Sequence, residues 1–347
     1  MKSETMIIND PLDDQNYLTP IRWVLAAIVA IAHAWEVTDG MDPLGLYNWQ
    51  ASDLAVNGFF ILSGLLIARS LTIRQDLKSY FKSRVLRIFP ALVAVLLVMM
   101  LVFGPLFSDP GGANFLMDPE AWSFFFRTLA MDEPRGAIAG VFEGNAMPHF
   151  NAPLWTIRFE VACYVIAGLA FTFGGVRTKW RSTIAAMVLV LINFGLNFPA
   201  FANLGEEVHD FFRLTSAFSM GFALYFWPRT RTPGWMIVGL STVLFVLLGK
   251  SWFGEIFANI AIAAALMHFG LSKWPVTFLH KLPDYSYGIY IWHFPVLQAL
   301  IYLRPEFSPL EILALGAPVI LGASALSWHF IERPALKLKN GNLSLGG

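Results

Sequence analysis

The sequence predicts an all-α, polytopic membrane bundle of about ten transmembrane helices with both termini cytoplasmic. Three observations predict it. Of 347 residues, 56% are hydrophobic and only 14% are charged, with 12 Trp, 31 Phe and 9 Tyr, which is too apolar for a soluble domain of this size. Ten runs loosely meet the requirement for crossing ~30 Å of hydrocarbon, which takes about 20 mostly apolar residues whose backbone groups are satisfied within a helix. Most of the 24 Lys and Arg fall in the N-terminus, the C-terminus and alternate connections, the asymmetry described by the positive-inside rule.

The elements follow in order. Residues 1–20 form an expected cytoplasmic tail carrying Glu4, Asp10, Asp13 and Asp14. The apolar run that follows is too long, and lacks the small-residue cleavage site, for a removable signal peptide. Spans are expected near 21–37, 54–73, 88–107, 154–174, 183–201, 211–227, 235–249, 252–271, 285–303 and 309–331. Together they make a transmembrane domain over 21–334, followed by a cytoplasmic tail over 335–347. Arg177-Thr-Lys179-Trp-Arg181 and Arg229-Thr-Arg231 exemplify the basic inside loops. The longest connection, 108–153, is expected outside, with Pro119 to Ala130 as an interfacial helix. Asp284 is placed to cap the ninth span. Ser308-Pro309-Leu310-Glu311 reads as a capping box with Pro at the first helical position, starting the tenth.

Net charge is zero, which gives no electrostatic case for a nucleic-acid partner. A single cysteine, Cys163, excludes an internal disulfide and a cysteine-rich metal site and reads as a packing residue. There is no His-Glu-x-x-His pattern, and Gly249-Lys250-Ser251 lacks the glycine spacing of a phosphate loop. No metal is expected.

Ionisable groups inside spans are costly and mark function by default. Arg22 opens the first span and His33 lies eleven residues on, within about 20° of the same helix face and roughly 16 Å deeper. Glu160, about six residues into the fourth span from the outside, is expected at a comparable depth, so that its carboxylate orients His33 to take a proton from an acceptor hydroxyl. The plainer reading is a structural polar pair between helices; the cost of burying ionisable groups favours catalysis. Arg84 and Arg87 stand one turn apart at the inner end of the third span, near Lys78 and Lys82. Their guanidinium groups suit the phosphates of an acyl-coenzyme A, and equally suit anchoring at the membrane face. His293, beside Pro295, either lines a cavity or satisfies a carbonyl freed by the proline. His149 and Asn151 sit at the expected outer mouth as acceptor contacts. Asn57, Gly58 and Ser63 read as helix-packing residues.

At these residues the sequence resembles the acyltransferase 3 family of integral membrane O-acyltransferases. Arg22 and His33 are similar to its Arg, ten residues, His signature, and Arg84 with Arg87 to its paired arginines. Phe59-Phe60-Ile-Leu-Ser63-Gly64, Leu154-Trp155-Thr156-Ile-Arg-Phe-Glu160, Ser286-Tyr-Gly-Ile-Tyr-Ile-Trp-His293-Phe-Pro295 and Phe330-Ile-Glu332-Arg333-Pro334 resemble further blocks of the family, with Asn57 where many members have Asp and Thr156 where they have Ser. The resemblance implies transfer of an acyl group, usually acetyl, from cytoplasmic acyl-coenzyme A to a carbohydrate hydroxyl in a bacterial inner membrane. It lends the paired arginines, with Arg22, a donor-binding role and His33 a catalytic one. The competing expectation is a glycan or small-molecule transporter in which His33, Glu160 and His293 relay protons; no repeat pair or matched broken helices favour it.

Overall fold

The computed structural model describes residues 12, 16–47, 49–74, 76–109, 111–132, 138, 140–227, 234–272 and 274–340. The tail acids Glu4, Asp10, Asp13 and Asp14 and the Arg229-Thr-Arg231 loop lie outside them. Fourteen α-helices account for the architecture, and no strand occurs among the described residues. They are α1 (Leu18–Asp39), α2 (Ala51–Arg74), α3 (Leu77–Val98), α4 (Gly104–Phe107), α5 (Ala113–Met117), α6 (Pro119–Leu129), α7 (Trp155–Thr172), α8 (Lys179–Leu196), α9 (Glu206–Tyr225), α10 (Trp235–Leu248), α11 (Gly254–Leu271), α12 (Ser286–Leu303), α13 (Pro309–Ser327) and α14 (Arg333–Lys337). A π-helical turn, Met99–Phe103, joins α3 to α4 as one rod, and a second, Trp328–Glu332, joins α13 to α14.

Each of the ten expected spans coincides with a helix, and among the described residues seven helical stretches are long and apolar enough to cross a membrane. The other three differ for physical reasons. α9 carries Glu206, Glu207, Asp210 and Arg213, α10 has only 14 residues, and α12 is diluted by Tyr287, Tyr290, His293 and Gln298. The capping box forms at the start of α13: the Ser308 hydroxyl accepts from the Glu311 amide while the Glu311 carboxylate accepts from the Ser308 amide at 2.8 Å.

The chain divides into two compact units. One comprises Met1–Ile21, Phe60–Ile73 and Gly174–Leu282. In it α8 pairs with α9 and α10 with α11, and α2 crosses α9 at glycines from both sides. A methyl group at Gly64 would overlap the Phe218 carbonyl, and one at Gly221 would overlap that of Ile61. This is the close backbone approach that small residues permit. A buried polar group, Glu255 accepting from Asn193 at 2.8 Å, ties α11 to α8.

The other unit comprises Arg22–Phe59, Arg74–Phe173 and Pro283–Gly347, and it contains every candidate site residue. Its axis is α12, buried at almost every position from Ser286 to Ile301. Ala26, Ala34 and Val37 of α1 and Ile312 and Ile320 of α13 form one core with Ile289, Phe294, Val296 and Leu297 of α12. Gly288 lets α13 approach, since a methyl group there would stand 2.9 Å from the Ser324 Cα. The 108–153 connection contains the expected helix as α6, begun by Asp118 accepting from the Glu120 amide at 2.8 Å. Phe142, fully buried with φ +55°, packs against Phe107, Phe150 and Tyr302. Such a φ costs a non-glycine residue roughly 1–2 kcal/mol, offset here by burial of a large aromatic side chain.

Candidate functional site

Two polar stations join α1 to α12, one at Arg22 and Asp284 and the other at His33 and His293. The first is ionic. Asp284, just before α12, accepts from Arg22 at 2.7 Å and from Arg87 of α3 at 2.8 Å, and its second oxygen accepts from the Ser286 hydroxyl at 2.5 Å. Arg87 also faces Glu332 at 3.7 Å and lies over the Tyr287 ring. Burial by itself would raise the Asp284 carboxyl, but Arg87 and Arg22 outweigh it and hold the group far below the ordinary carboxylate range. Asp284 therefore does not cap α12 as expected. Two guanidinium groups and a hydroxyl occupy its oxygens, and Tyr285 stands at the cap position before α12 without a side-chain cap bond.

Arg84, one turn before Arg87, is held differently. Its Nε donates to the Ser83 hydroxyl at 3.1 Å, and its guanidinium lies 6.0 Å from the Tyr80 ring centre and 5.6 Å from that of Tyr164. No carboxylate pairs with it among the described residues. A cation seated on aromatic faces without an acidic partner retains its capacity for a phosphate.

The second station is a pair of imidazoles. His33 Nδ1 and His293 Nε2 are 2.8 Å apart, with the rings nearly parallel at 7°. His293 is fully buried, and its Nδ1 lies 3.0 Å from the Ile289 carbonyl one turn back in α12. The side chain of His33 keeps 13% exposure, its Nε2 is 3.7 Å from the Glu36 carboxylate, and Phe294 meets its ring edge-on. Glu36 in turn lies 3.4 Å from the Ser52 hydroxyl.

The expected contact between His33 and Glu160 is not what this geometry contains. The Glu160 carboxylate accepts from the Tyr164 hydroxyl and lies within electrostatic reach of Arg87. Counting residues from a helix end does not reveal the neighbours a side chain meets, and α7 turns this face to the arginines of α3. The Tyr80 hydroxyl seals that contact by donating to the Tyr164 carbonyl at 2.9 Å.

Asn151 is likewise not at an open mouth. It is 1% exposed, and its Nδ2 donates to the Ile291 carbonyl at 3.0 Å. Pro295 lacks the amide that would take that carbonyl in a continuous helix, so Asn151 fills the place that the sequence reading offered to His293. The preceding segment is clamped by fully buried Gln298, whose side chain donates to the Met147 carbonyl and, at 2.9 Å, to the His149 carbonyl. The His149 ring thus stands on a fixed backbone, its Nδ1 buried without a partner. Thr156, which replaces serine in its block, shares a 2.7 Å hydrogen bond with Tyr290, so the hydroxyl is kept.

Three participants went unnoticed as such in the sequence. Glu36 lies at i+3 from His33 and is legible from helical spacing; Asp284 and Gln298 carry no local signal of their long-range partners. Among the described residues no cluster of His, Cys, Asp and Glu suits a metal ion.

The acyltransferase 3 model, described as an acyltransferase domain, matches residues 15–328. The chain is 26% identical over 341 residues to an O-acetyl transferase of Shigella phage Sf6, covering 95% of this chain and 98% of that protein. It is 27% identical over 360 residues to nodulation protein 10 of Rhizobium leguminosarum bv. viciae, covering 94% of each. It is 24% identical to the O-acetyltransferase OatA of Staphylococcus aureus, covering 82% of this chain and 52% of OatA, so it spans about half the length of that relative. No solved structure matches. The chain therefore belongs to the acyltransferase 3 family of membrane proteins, and it is an enzyme of the O-acetyltransferase kind.

Proposed function

We propose that this protein moves an acetyl group from cytoplasmic acetyl-coenzyme A to a hydroxyl of a polysaccharide, O-antigen or oligosaccharide acceptor in the bacterial inner membrane. On this reading residues 21–334 form a ten-span domain with both termini in the cytoplasm. The observation that carries it is the disposition of charge along α1: a guanidinium cluster at its start and, roughly 16 Å further along the same face, an imidazole whose side chain keeps 13% exposure. The extended pantetheine arm of coenzyme A spans such a distance.

Arg84 is the first candidate for the coenzyme phosphates, because no carboxylate competes for it; Arg22 and Arg87, aligned by Asp284, complete a positive lining. Glu160 belongs to this donor end, within electrostatic reach of Arg87 and bound by Tyr164, whose ring Arg84 overlies. At the other end His33 Nε2 takes the proton of the acceptor hydroxyl as its oxygen attacks the thioester carbonyl carbon. The C–O bond forms, the C–S bond breaks, and the imidazolium returns its proton to the departing thiolate. A carboxylate at the distance of Glu36 offsets the charge the ring carries in between. His149 is the acceptor contact; Gln298 of α12 supports its backbone, and Asn151 ties the same segment to the Ile291 carbonyl. The transporter alternative finds no support in the relatives' names.

The test is release of free coenzyme A from acetyl-coenzyme A by the protein purified in detergent with acceptor present, together with mass spectrometry of the cell's surface glycans. His33→Ala is expected to abolish both signals at normal protein level. Undiminished acetylation by that variant would refute the assignment.

A further inference from the structure

We infer that His293 is a positioning residue that fixes the tautomer of His33 and thereby selects Nε2 as its reactive nitrogen, a conclusion that rests on the reading of His33 as the acyl-transfer residue. The Ile289 carbonyl, 3.0 Å from His293 Nδ1, only accepts, so that nitrogen carries the hydrogen. In neutral His293 the lone pair is then on Nε2. His33 Nδ1, 2.8 Å away, must therefore carry a hydrogen and donate it. The lone pair of neutral His33 is left on Nε2, the nitrogen that looks toward Glu36 at 3.7 Å. That separation exceeds a hydrogen bond and leaves the nitrogen free to accept from an incoming hydroxyl.

The opposite tautomer of His33 would set two lone pairs against each other at 2.8 Å. Ring rotation is blocked from both sides: His293 is fully buried, and Phe294 stands edge-on to the His33 ring. A second imidazole anchored on a backbone carbonyl thus does for His33 what a buried carboxylate does for the histidine of a hydrolytic triad. The geometry also explains why His293 is fully enclosed while His33 is not, since only one of the two rings has to meet substrate.

Solid-state 15N NMR of histidine-labelled protein in bilayers tests this, with the His33 signals identified by their loss in His33→Gln among only seven histidines. At a pH where His33 is neutral, the expected result in the wild type is a protonated Nδ1 and an unprotonated Nε2. In His293→Phe a substantial population with protonated Nε2 is expected, and kcat is expected to fall about 10- to 100-fold, by comparison with loss of the partner that orients a metal-bound histidine, with KM for acetyl-coenzyme A unchanged. His293→Gln, whose side-chain carbonyl can accept from Nδ1–H, is expected to recover much of kcat. A protonated Nε2 on His33 in the wild type overturns the inference, as does full kcat in His293→Phe. The wild-type spectrum decides even if the variants fold poorly. Turnover surviving in His33→Ala would instead sink the functional reading and leave the tautomer result standing.

Discussion

Arg84 and Arg87 are identical in kind and one helical turn apart, and their surroundings predict opposite consequences of removal. Arg84→Ala gives up a hydrogen bond to Ser83 and two aromatic faces, a cation–π loss of about 0.5–1 kcal/mol at a partly exposed site. If its guanidinium grips a coenzyme phosphate, the charged hydrogen bond forfeited is worth about 1.5–3 kcal/mol, a rise of roughly 10- to 100-fold in KM for acetyl-coenzyme A. Arg87→Ala instead strands Asp284 and Glu332, whose side chains are 14% and 1% exposed. Breaking a buried pair from one side costs about 3–5 kcal/mol. Residual solvent around Asp284, and its surviving bond to Arg22, reduce that to about 2–3 kcal/mol. The assay pairs coenzyme A release against acetyl-coenzyme A concentration with thermal unfolding in detergent. Arg84→Ala should raise KM at nearly unchanged melting temperature, and Arg87→Ala should lower the melting temperature sharply. An Arg84 variant with wild-type KM, or one as unstable as the Arg87 variant, would refute the division of labour.

The remaining predictions concern stability. The Asp284 carboxyl has an ordinary value of 3.8 and is held below it in the fold, so its stabilising contribution is complete above that value and drains as pH falls toward the lower folded value; acid titration of Asp284→Asn should lack this part of the acid limb, seen as a flatter melting temperature below about pH 4. Asn151→Ala leaves the Ile291 carbonyl without its donor and should cost about 1–3 kcal/mol, whereas in a Pro295→Ala background, where residue 295 supplies the amide itself, the same substitution should cost clearly less in a double-mutant cycle. Gly64→Ala puts a methyl group onto the Phe218 carbonyl and should reduce the yield of monodisperse protein, measured by size-exclusion chromatography; a normal yield would show that α2 and α9 can separate.

Much of the fold was legible because its signals are local. Runs of apolar residues mark spans wherever they occur, and Ser308 with Glu311 announce a helix start within four residues. Arg22 and His33 on one face follow from helical geometry alone. Their partners do not. Asp284 reads as a cap because nothing near it in sequence reveals two arginines from other helices, and Asn151 reads as a surface contact because the proline that needs it is 144 residues away. Glu160 failed differently: where its carboxylate ends up depends on how α7 is set and rotated against α3, which no single helix encodes.

The enclosed helix α12 holds Asp284 at its beginning, His293 at its middle and Gln298 a turn beyond Pro295, so each working segment of the unit is registered against one ruler. Chimeras between relatives should therefore be cut with this ruler in mind. A transplanted 108–153 segment needs the matching residues 291–298, because Asn151 docks on the Ile291 carbonyl and Gln298 holds the His149 carbonyl. Residues 284–287 should travel with the host's arginines, and no splice should separate Ile289 from His293, because the Ile289 carbonyl anchors the imidazole pair.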